Sequence, residues 1–294
     1  MNKIKTIVIP VAGMGTRFLP ATKVVPKEML TILDRPLLDY AVSESLKAGI
    51  EKFIFITNKD NKFPKSYLSK NKKLEKYLSS KKKQAVLKKI NKININSKNI
   101  KIIVQDKPLG LGHAIFKTKA LLNNEDFAVI LPDDLILGNN CIKELINVYY
   151  EEDTNVLAVM EVNKKDVGKY GVIDPKKRNK KKIEVGSMVE KPLSKPPSNL
   201  AVVGRYILKT SIFDELKNLK SGSGGEIQLT DALSCSIKNE RLFAYLFTGN
   251  RYDCGSKKGF FQAQVACALQ DNEIKKDVKR LISDELLRKG TVLK

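Results

Sequence analysis

The sequence predicts an α/β fold: a mixed, mostly parallel central sheet with helices on both faces. Two observations point to it. Short apolar runs rich in Val, Ile and Phe recur along the chain, and most are followed by a segment of helical periodicity. The chain has 294 residues, 42% of them hydrophobic, enough to bury a large core.

The elements follow in order. Thr6–Val11 reads as a fully buried strand, cut short by Pro10 and the Gly13/Gly15 turn rather than extended into a signal peptide. Pro36–Lys47 reads as a helix: Pro36 suits the first turn, Leu37, Leu38, Ala41, Val42 and Leu46 share one face, and Gly49 stops it. Phe53–Thr57 is strand-like. Pro64–Lys92 is polar with recurring Leu and Ile, which predicts two exposed helices. Ile100–Val104, Phe127–Leu131 and Val156–Val162 read as strands, and His113–Leu122 and Asn140–Tyr150 as the helices between them. The second half is more broken. Tyr170–Ile173, Ile183–Glu190 and Leu200–Leu208 are β-like, with a loop at Pro192, Pro196 and Pro197. Helical patterns return at Ser211–Leu219 and Ile227–Ile237. Phe243–Phe247 is a strand, and Lys258–Leu287 forms one or two closing helices.

The net charge of +22 first suggests a polyanion partner. The excess is local, however. Between Lys59 and Lys101 lie 15 Lys, no Arg and two acids, Asp60 and Glu75, a net +13. A second run spans Lys176–Lys182. Neither run interleaves the aromatics that stack on single strands, and Arg, the usual base reader, is nearly absent. Both read as solvated surface, and no nucleic-acid partner is expected. No apolar run reaches the ~18 residues of a spanning helix, so no membrane partner is expected either. Cys141, Cys235, Cys254 and Cys267 form no C-x-x-C pair. Four scattered thiols and no leader fit a cytoplasmic location. One histidine, His113, excludes a His-rich metal site.

The strongest motif follows the first strand: Ala12-Gly13-Met14-Gly15-Thr16-Arg17. A Gly-rich turn leaving a parallel strand brings backbone N–H groups to the sheet edge where such folds bind ligands. It is not the dinucleotide fingerprint, because Phe18 holds the third glycine position, and no Walker A loop occurs. Pro26-Lys27-Glu28-Met29-Leu30 follows. A Gly-rich turn with Arg17 and Lys27 close by suits a polyphosphate. Leu131-Pro132-Asp133-Asp134 puts acids at a strand's carboxyl end, where Mg²⁺ takes one or two carboxylates plus phosphate oxygens. Tyr252-Asp253-Cys254-Gly255 offers another acid.

Together with Gly110-Leu111-Gly112-His113-Ala114, Glu190-Lys191-Pro192, Ser198–Tyr206 and Gly225–Asp231, these blocks resemble the bacterial UTP–glucose-1-phosphate uridylyltransferases. These belong to the sugar-phosphate nucleotidyltransferase superfamily. The match runs in order from Met1 to about Gln270. The resemblance implies a Rossmann-like three-layer sandwich and a single nucleotidyltransferase domain. Residues 1–155 would form the nucleotide-binding half, with a Lys-rich helical insertion at 59–100. Residues 156–255 would form the sugar-phosphate half, and 256–294 the C-terminal helices.

It also implies roles. Ala12 and Gly13 would lie against uracil through their backbone, with Gly15 in the same nucleotide-binding turn, and Gln105 and Gly110 would contact the base. Arg17 and Lys27 would bind the nucleotide phosphates. Gly171, Glu190, Lys191 and Gly204 would hold glucose 1-phosphate, Lys191 at its phosphate and Glu190 at the sugar hydroxyls. Asp133 and Asp253 would hold Mg²⁺, with Asp134 a weaker candidate. A homodimer or homotetramer is expected by the same resemblance.

The implied reaction joins UTP and glucose 1-phosphate into UDP-glucose and pyrophosphate. A phosphate monoester has its second pKa near ~6, so the nucleophile is already ionised and needs no general base. The reaction needs cations against phosphate repulsion, and alignment. Arg17, Lys27 and Lys191 are the catalytic candidates. His113 reads as the start of a helix near the nucleotide. Two alternatives stay open: the same fold acting on thymidylyl or cytidylyl groups, and a non-catalytic polyanion-binding protein using the Lys tracts.

Overall fold

The first strand sets the architecture. In a computed structural model of the chain, which describes residues 3–59, 61–219 and 225–288 (backbone alone for 286–288), β1 spans Thr6–Val11. Side chains alternate across a strand, so Ile7, Ile9 and Val11 enter one core layer and Val8 the other. The same division holds for Phe53 and Phe55 against Ile54 and Ile56, and for Ala128 and Ile130 against Phe127 and Val129. A strand apolar on both faces must be covered on both, and it is.

The remaining strands are β2 (Thr31–Ile32), β3 (Arg35–Pro36), β4 (Lys52–Thr57), β5 (Ile100–Val104), β6 (Phe127–Ile130), β7 (Asp134–Gly138), β8 (Asn155–Glu161), β9 (Gly171–Asn179), β10 (Lys182–Glu190), β11 (Leu200–Leu208), β12 (Leu242–Leu246) and β13 (Gly249–Asp253). Nine of them form one sheet in the order β5-β4-β1-β6-β11-β8-β12-β10-β9. β1, β4, β5 and β6 run parallel. β11 is antiparallel to both β6 and β8, and β10 to both β12 and β9. The sheet is therefore mixed, with only β10 and β11 reversed. Helices Leu37–Lys47 and Cys141–Glu152 cover one face, and Leu111–Phe116, Ile212–Asn218 and Leu229–Ser236 the other.

Several expected elements differ in extent. The segment expected to hold two helices holds three: Phe63–Leu68, Lys72–Ser80 and Gln84–Asn91. Ser69 and the Asn71 cap separate the first two, with Asn71 Oδ1 accepting from Leu74 N at 3.0 Å. The helix expected over His113–Leu122 starts at Leu111 and breaks after Phe116, resuming at Lys119–Leu122. The strand expected over Tyr170–Ile173 extends to Asn179, so the basic run 176–182 forms the tip of the β9–β10 hairpin. Two closing helices are present, Lys257–Gln270 and Lys275–Arg288; residues 289–294 of the expected C-terminal segment lie outside the described residues.

The small pair β7–β13 matters most for function. Asp253 lies opposite Asp134, so two acidic blocks far apart in sequence are zipped side by side. Helix Lys257–Gln270 packs behind them, with Cys254, Ala263 and Cys267 joining Leu135, Ile32 and Leu37 in a third core cluster.

Candidate active site

The C-terminal ends of β1, β4, β5 and β6 deliver the chemistry. β1 ends at Val11 and releases Ala12, Gly13 and Gly15. The turn is pinned by Thr22, whose Oγ1 donates to Gly15 O at 2.8 Å. Lys27 reaches back beside Gly13; a Cβ on Gly13 would lie 3.7 Å from Lys27 Nζ. Its ammonium meets Asp133 Oδ2 at 2.6 Å. Burial works against the charge on Lys27, but the charge and hydrogen bond of Asp133 outweigh it and hold the ammonium above its ordinary pKa. The converse holds for Asp133. Burial pushes its carboxyl up, and Lys27 brings it below the ordinary carboxylate range.

Asp253 faces the same point. A Cβ on Gly255 would lie 3.0 Å from Asp253 Oδ1 and 3.2 Å from Asp133 Oδ2. Cys254 N donates to Asp133 O at 2.7 Å, which fixes this approach. Arg17 Nη1 donates to Gly255 O at 3.3 Å, so Arg17, Lys27, Asp133 and Asp253 form one cluster. Among the described residues no group of three or more His, Cys, Asp or Glu forms a metal cage. Two carboxylates facing one point beside Arg17 and Lys27 suit a hard cation that completes its shell with substrate oxygens and water.

Asp134, the weaker candidate, has both carboxylate oxygens engaged by protein donors. Its Oδ1 accepts from Arg251 Nε at 2.7 Å and also from Arg251 Nη2, and its Oδ2 accepts from Gly204 N at 2.7 Å. Gly204 is therefore spoken for: its N–H serves Asp134, and its carbonyl accepts from Leu131 N and Arg205 Nη1. What Gly204 contributes is closeness. A Cβ there would fall 2.5 Å from Leu131 Cβ. The register slip in β11 between Val202 and Tyr206 spans this glycine.

Gln105 and Gly110, expected at the base, are tied to each other. Gln105 is buried, donates from Nε2 to Gly110 O at 3.2 Å, and lies 3.0 Å from His113 Nδ1. Gly110 has φ +96°, and a Cβ there would sit 2.7 Å from Ile227 O, so only glycine fits. Gly112 N donates to Ile227 O and Ile227 N to Leu109 O, both at 2.8 Å. The block around Glu226 thus buttresses the block around His113. Burial, with the Lys117 charge, lowers the pKa of His113, which leaves the ring neutral at pH 7.

Gly171 and Glu190, expected at the sugar, are cross-strand partners in β9 and β10. A Cβ on Gly171 would be 3.1 Å from both Glu190 Oε2 and Thr230 Oγ1. Thr230 lies beside this pair, and Gln228 takes the cap position of helix Leu229–Ser236. Lys191 has φ +45°, anchors its N–H to Tyr170 O at 3.0 Å, and holds its ammonium 3.4 Å from Glu190 Oε1.

Three supporting groups were not singled out from sequence. Glu28 is buried, with Oε1 accepting from Asn61 Nδ2 and Oε2 without a partner among the described residues. Asn61 Nδ2 also donates to Val11 O at 3.2 Å, so one strap ties the Lys27 turn to the end of β1. Arg205 is buried against Glu44 and reaches the carbonyls of Leu131 and Asp134. Arg251 holds Asp134 and donates to Tyr170 Oη at 2.9 Å. One signal was available: Arg251 and Asp253 sit two apart in a short β-like stretch and so share a face.

The fold and this cluster define a nucleotide-handling α/β protein, and comparison with known proteins agrees. The nucleotidyl transferase family model matches residues 6–270. The chain belongs to the nucleotidyl transferase family. It is 45% identical over 284 residues to the UTP–glucose-1-phosphate uridylyltransferase of Staphylococcus epidermidis, covering 96% of this chain and 98% of that one. Among solved structures it is similar to a UTP-bound UGPase from Acinetobacter baumannii, with a TM-score of 0.86 and 38% identity over 95% of this chain and 98% of that one. It is likewise similar to a UDP-glucose pyrophosphorylase complexed with UDP-glucose, with a TM-score of 0.81 and 40% identity over 91% of this chain and 100% of that one.

Proposed function

We propose that this protein transfers UMP from UTP to glucose 1-phosphate, releasing pyrophosphate and UDP-glucose. The observation that carries the reading is the convergence of Lys27, Asp133 and Asp253 beside the Gly13–Gly15 turn. The named relatives and the UTP and UDP-glucose complexes support the choice of substrates.

A phosphate oxygen of the sugar attacks the α-phosphorus of UTP in line, one P–O bond forms, and the bond to the β-phosphate oxygen breaks. Arg17 and Lys27 neutralise the nucleotide phosphates, and Lys191 the incoming sugar phosphate. Glu190 and Gly171 orient the sugar. The backbone of Ala12 and Gly13, with Gln105 and Gly110, holds the base. Gly204 acts behind them, seating Leu131 and Asp134. Asp133 and Asp253 would hold Mg²⁺, which when bound adds positive charge against the developing pyrophosphate. No residue needs to remove a proton, since the attacking phosphate is already ionised.

Pyrophosphate release with glucose 1-phosphate and Mg²⁺, run in parallel with UTP, dTTP, CTP, GTP and ATP, tests this. Release with UTP far above the others is expected. Preference for dTTP or CTP would keep the site and overturn the uridylyl assignment; no release by folded protein would overturn the whole reading.

A further inference from the structure

The two basic runs, alike in sequence, differ in the folded chain. At the β9–β10 hairpin three of the six basic residues are answered by carboxylates. Lys176 pairs with Glu184, Arg178 with Glu161, and Lys182 with Glu151 and Glu152. In the segment 59–101 fewer are. Of its 15 lysines, only Lys59 and Lys89 meet a carboxylate among the described residues, on Asp106 and Asp34. Within the helix pair Lys72–Ser80 and Gln84–Asn91, the one acid, Glu75, is half-buried with its Oε1 out of solvent. Lys72, Lys73, Lys76 and Lys88 are exposed there with no carboxylate partner among the described residues.

Apolar side chains sit among these lysines. Tyr77 is 56% exposed, Val86 44% and Leu74 41%, while Leu78 alone anchors the first helix in the core. The structure points to one kind of partner: we propose that this helix pair is a docking surface for an anionic lipid bilayer. Lysines flanking exposed aromatic and aliphatic residues match an interfacial helix, whose apolar side chains enter the headgroup layer while ammonium groups meet lipid phosphates. A second copy of the chain is a poor occupant, because it would press two net-positive surfaces together. Nucleic acid is poorer than lipid, because Tyr77 is the only aromatic of the pair and Arg is absent from it. No described helix is long and apolar enough to cross a membrane, so the contact is peripheral.

Sedimentation with vesicles tests the proposal on the full chain. The probes are phosphatidylcholine vesicles, the same vesicles with roughly 30% phosphatidylglycerol, and single-stranded DNA, each at low and ~0.5 M salt. Two variants are compared with the parent, Lys72→Glu/Lys73→Glu/Lys76→Glu and Tyr77→Ser/Val86→Ser. All these positions lie outside the site, so unchanged pyrophosphate release reports intact folding, and the exposed lysine variant keeps the test open if the apolar one unfolds. Binding to the anionic vesicles alone is expected, reduced about tenfold or more by either variant and by salt. No binding to anionic vesicles overturns the proposal. So does binding that ignores Tyr77 and Val86 and is matched by DNA, which would make the segment a general polyanion surface.

Discussion

Replacing Arg205 by Met tests how the acidic loop is held in place. Arg205 is 2% exposed and heads the fully buried side chains by volume. Its Nη2 meets Glu44 Oε2 at 2.8 Å, and its Nε lies 3.1 Å from Glu44 Oε1. It also donates to the carbonyls of Leu131 and Asp134, on either side of Asp133, at 3.1 and 2.8 Å. Removing one partner of a buried pair costs ~3–5 kcal/mol, because the other charge stays buried. Three features put this site at the lower end. Glu44 keeps a hydrogen bond from Ile142 N at 3.1 Å. It borders a cavity of ≈ 370 Å³, through which water can reach it. Leu131 O and Gly204 O keep backbone donors in Asp134 N and Leu131 N. The expected loss is about 3 kcal/mol, read as a shift of the urea midpoint with unchanged slope. Turnover should fall as well, because Asp133 loses its flanking anchors. The double variant Glu44→Leu/Arg205→Met removes both charges and should recover most of the stability. A single variant within about 1 kcal/mol of the parent, or a double variant as costly as the two singles summed, would refute the account.

Asp133→Asn should cut turnover at least ~100-fold while the fold survives, since a neutral side chain no longer offsets metal charge; normal turnover in folded protein would remove Asp133 from the metal site. Lys191→Ala should raise the KM for glucose 1-phosphate more than that for UTP in steady-state assays, and the reverse pattern would mean the subsites are exchanged. Glu28→Gln should change stability with pH in a defined direction. Burial raises the Glu28 pKa above its ordinary 4.5, against weaker opposition from hydrogen bonds and Lys27. Ionising it in the folded state therefore costs stability as pH rises through its folded pKa, and nothing well below the unfolded value. The Gln variant should match the parent in denaturation at pH 4 and exceed it at pH 8; equal stability at both would mean Glu28 is not penalised by burial.

Much of the fold was legible because its signal is local. β1, β4, β6 and β8 are short apolar runs bounded by turns, and two-sided burial leaves no other reading for them. The helix over Leu37–Lys47 carried its start in Pro36 and its stop in Gly49. The extents that failed depend on neighbours. β9 runs on through Lys176–Asn179 only because β10 supplies the opposite ladder and Glu184 and Glu161 answer the charges. At the site, the Gly-rich turn, Lys27 and Asp133 were legible as types of chemistry. Their juxtaposition was not, because β1–β6 pairing sets Asp133 beside the Gly-rich turn and β7–β13 pairing brings Asp253 to it, each across more than a hundred residues. Gly204 shows the limit most clearly. A glycine beside the site suggests a free backbone donor, yet only the packed structure shows that Asp134 already holds its N–H.

The site keeps its charges in opposed pairs. Lys27 holds Asp133, Lys191 stands near Glu190, and Arg251 holds Asp134. Unpaired, the buried Asp134 and the half-buried Asp133 and Glu190 would be costly. The first two pairs use exposed or half-buried ammonium groups on flexible stems, which can exchange a carboxylate for a phosphate. The third is sealed by Tyr170 and the Gly204 amide. This divides labour within one acidic motif. Asp134 is fixed by a rigid guanidinium and sets the frame. Asp133 is held by a single ammonium; in the proposed reaction an arriving triphosphate would draw that ammonium away and free the carboxylate for a cation. Substrate and metal binding would then favour each other through this shared carboxylate.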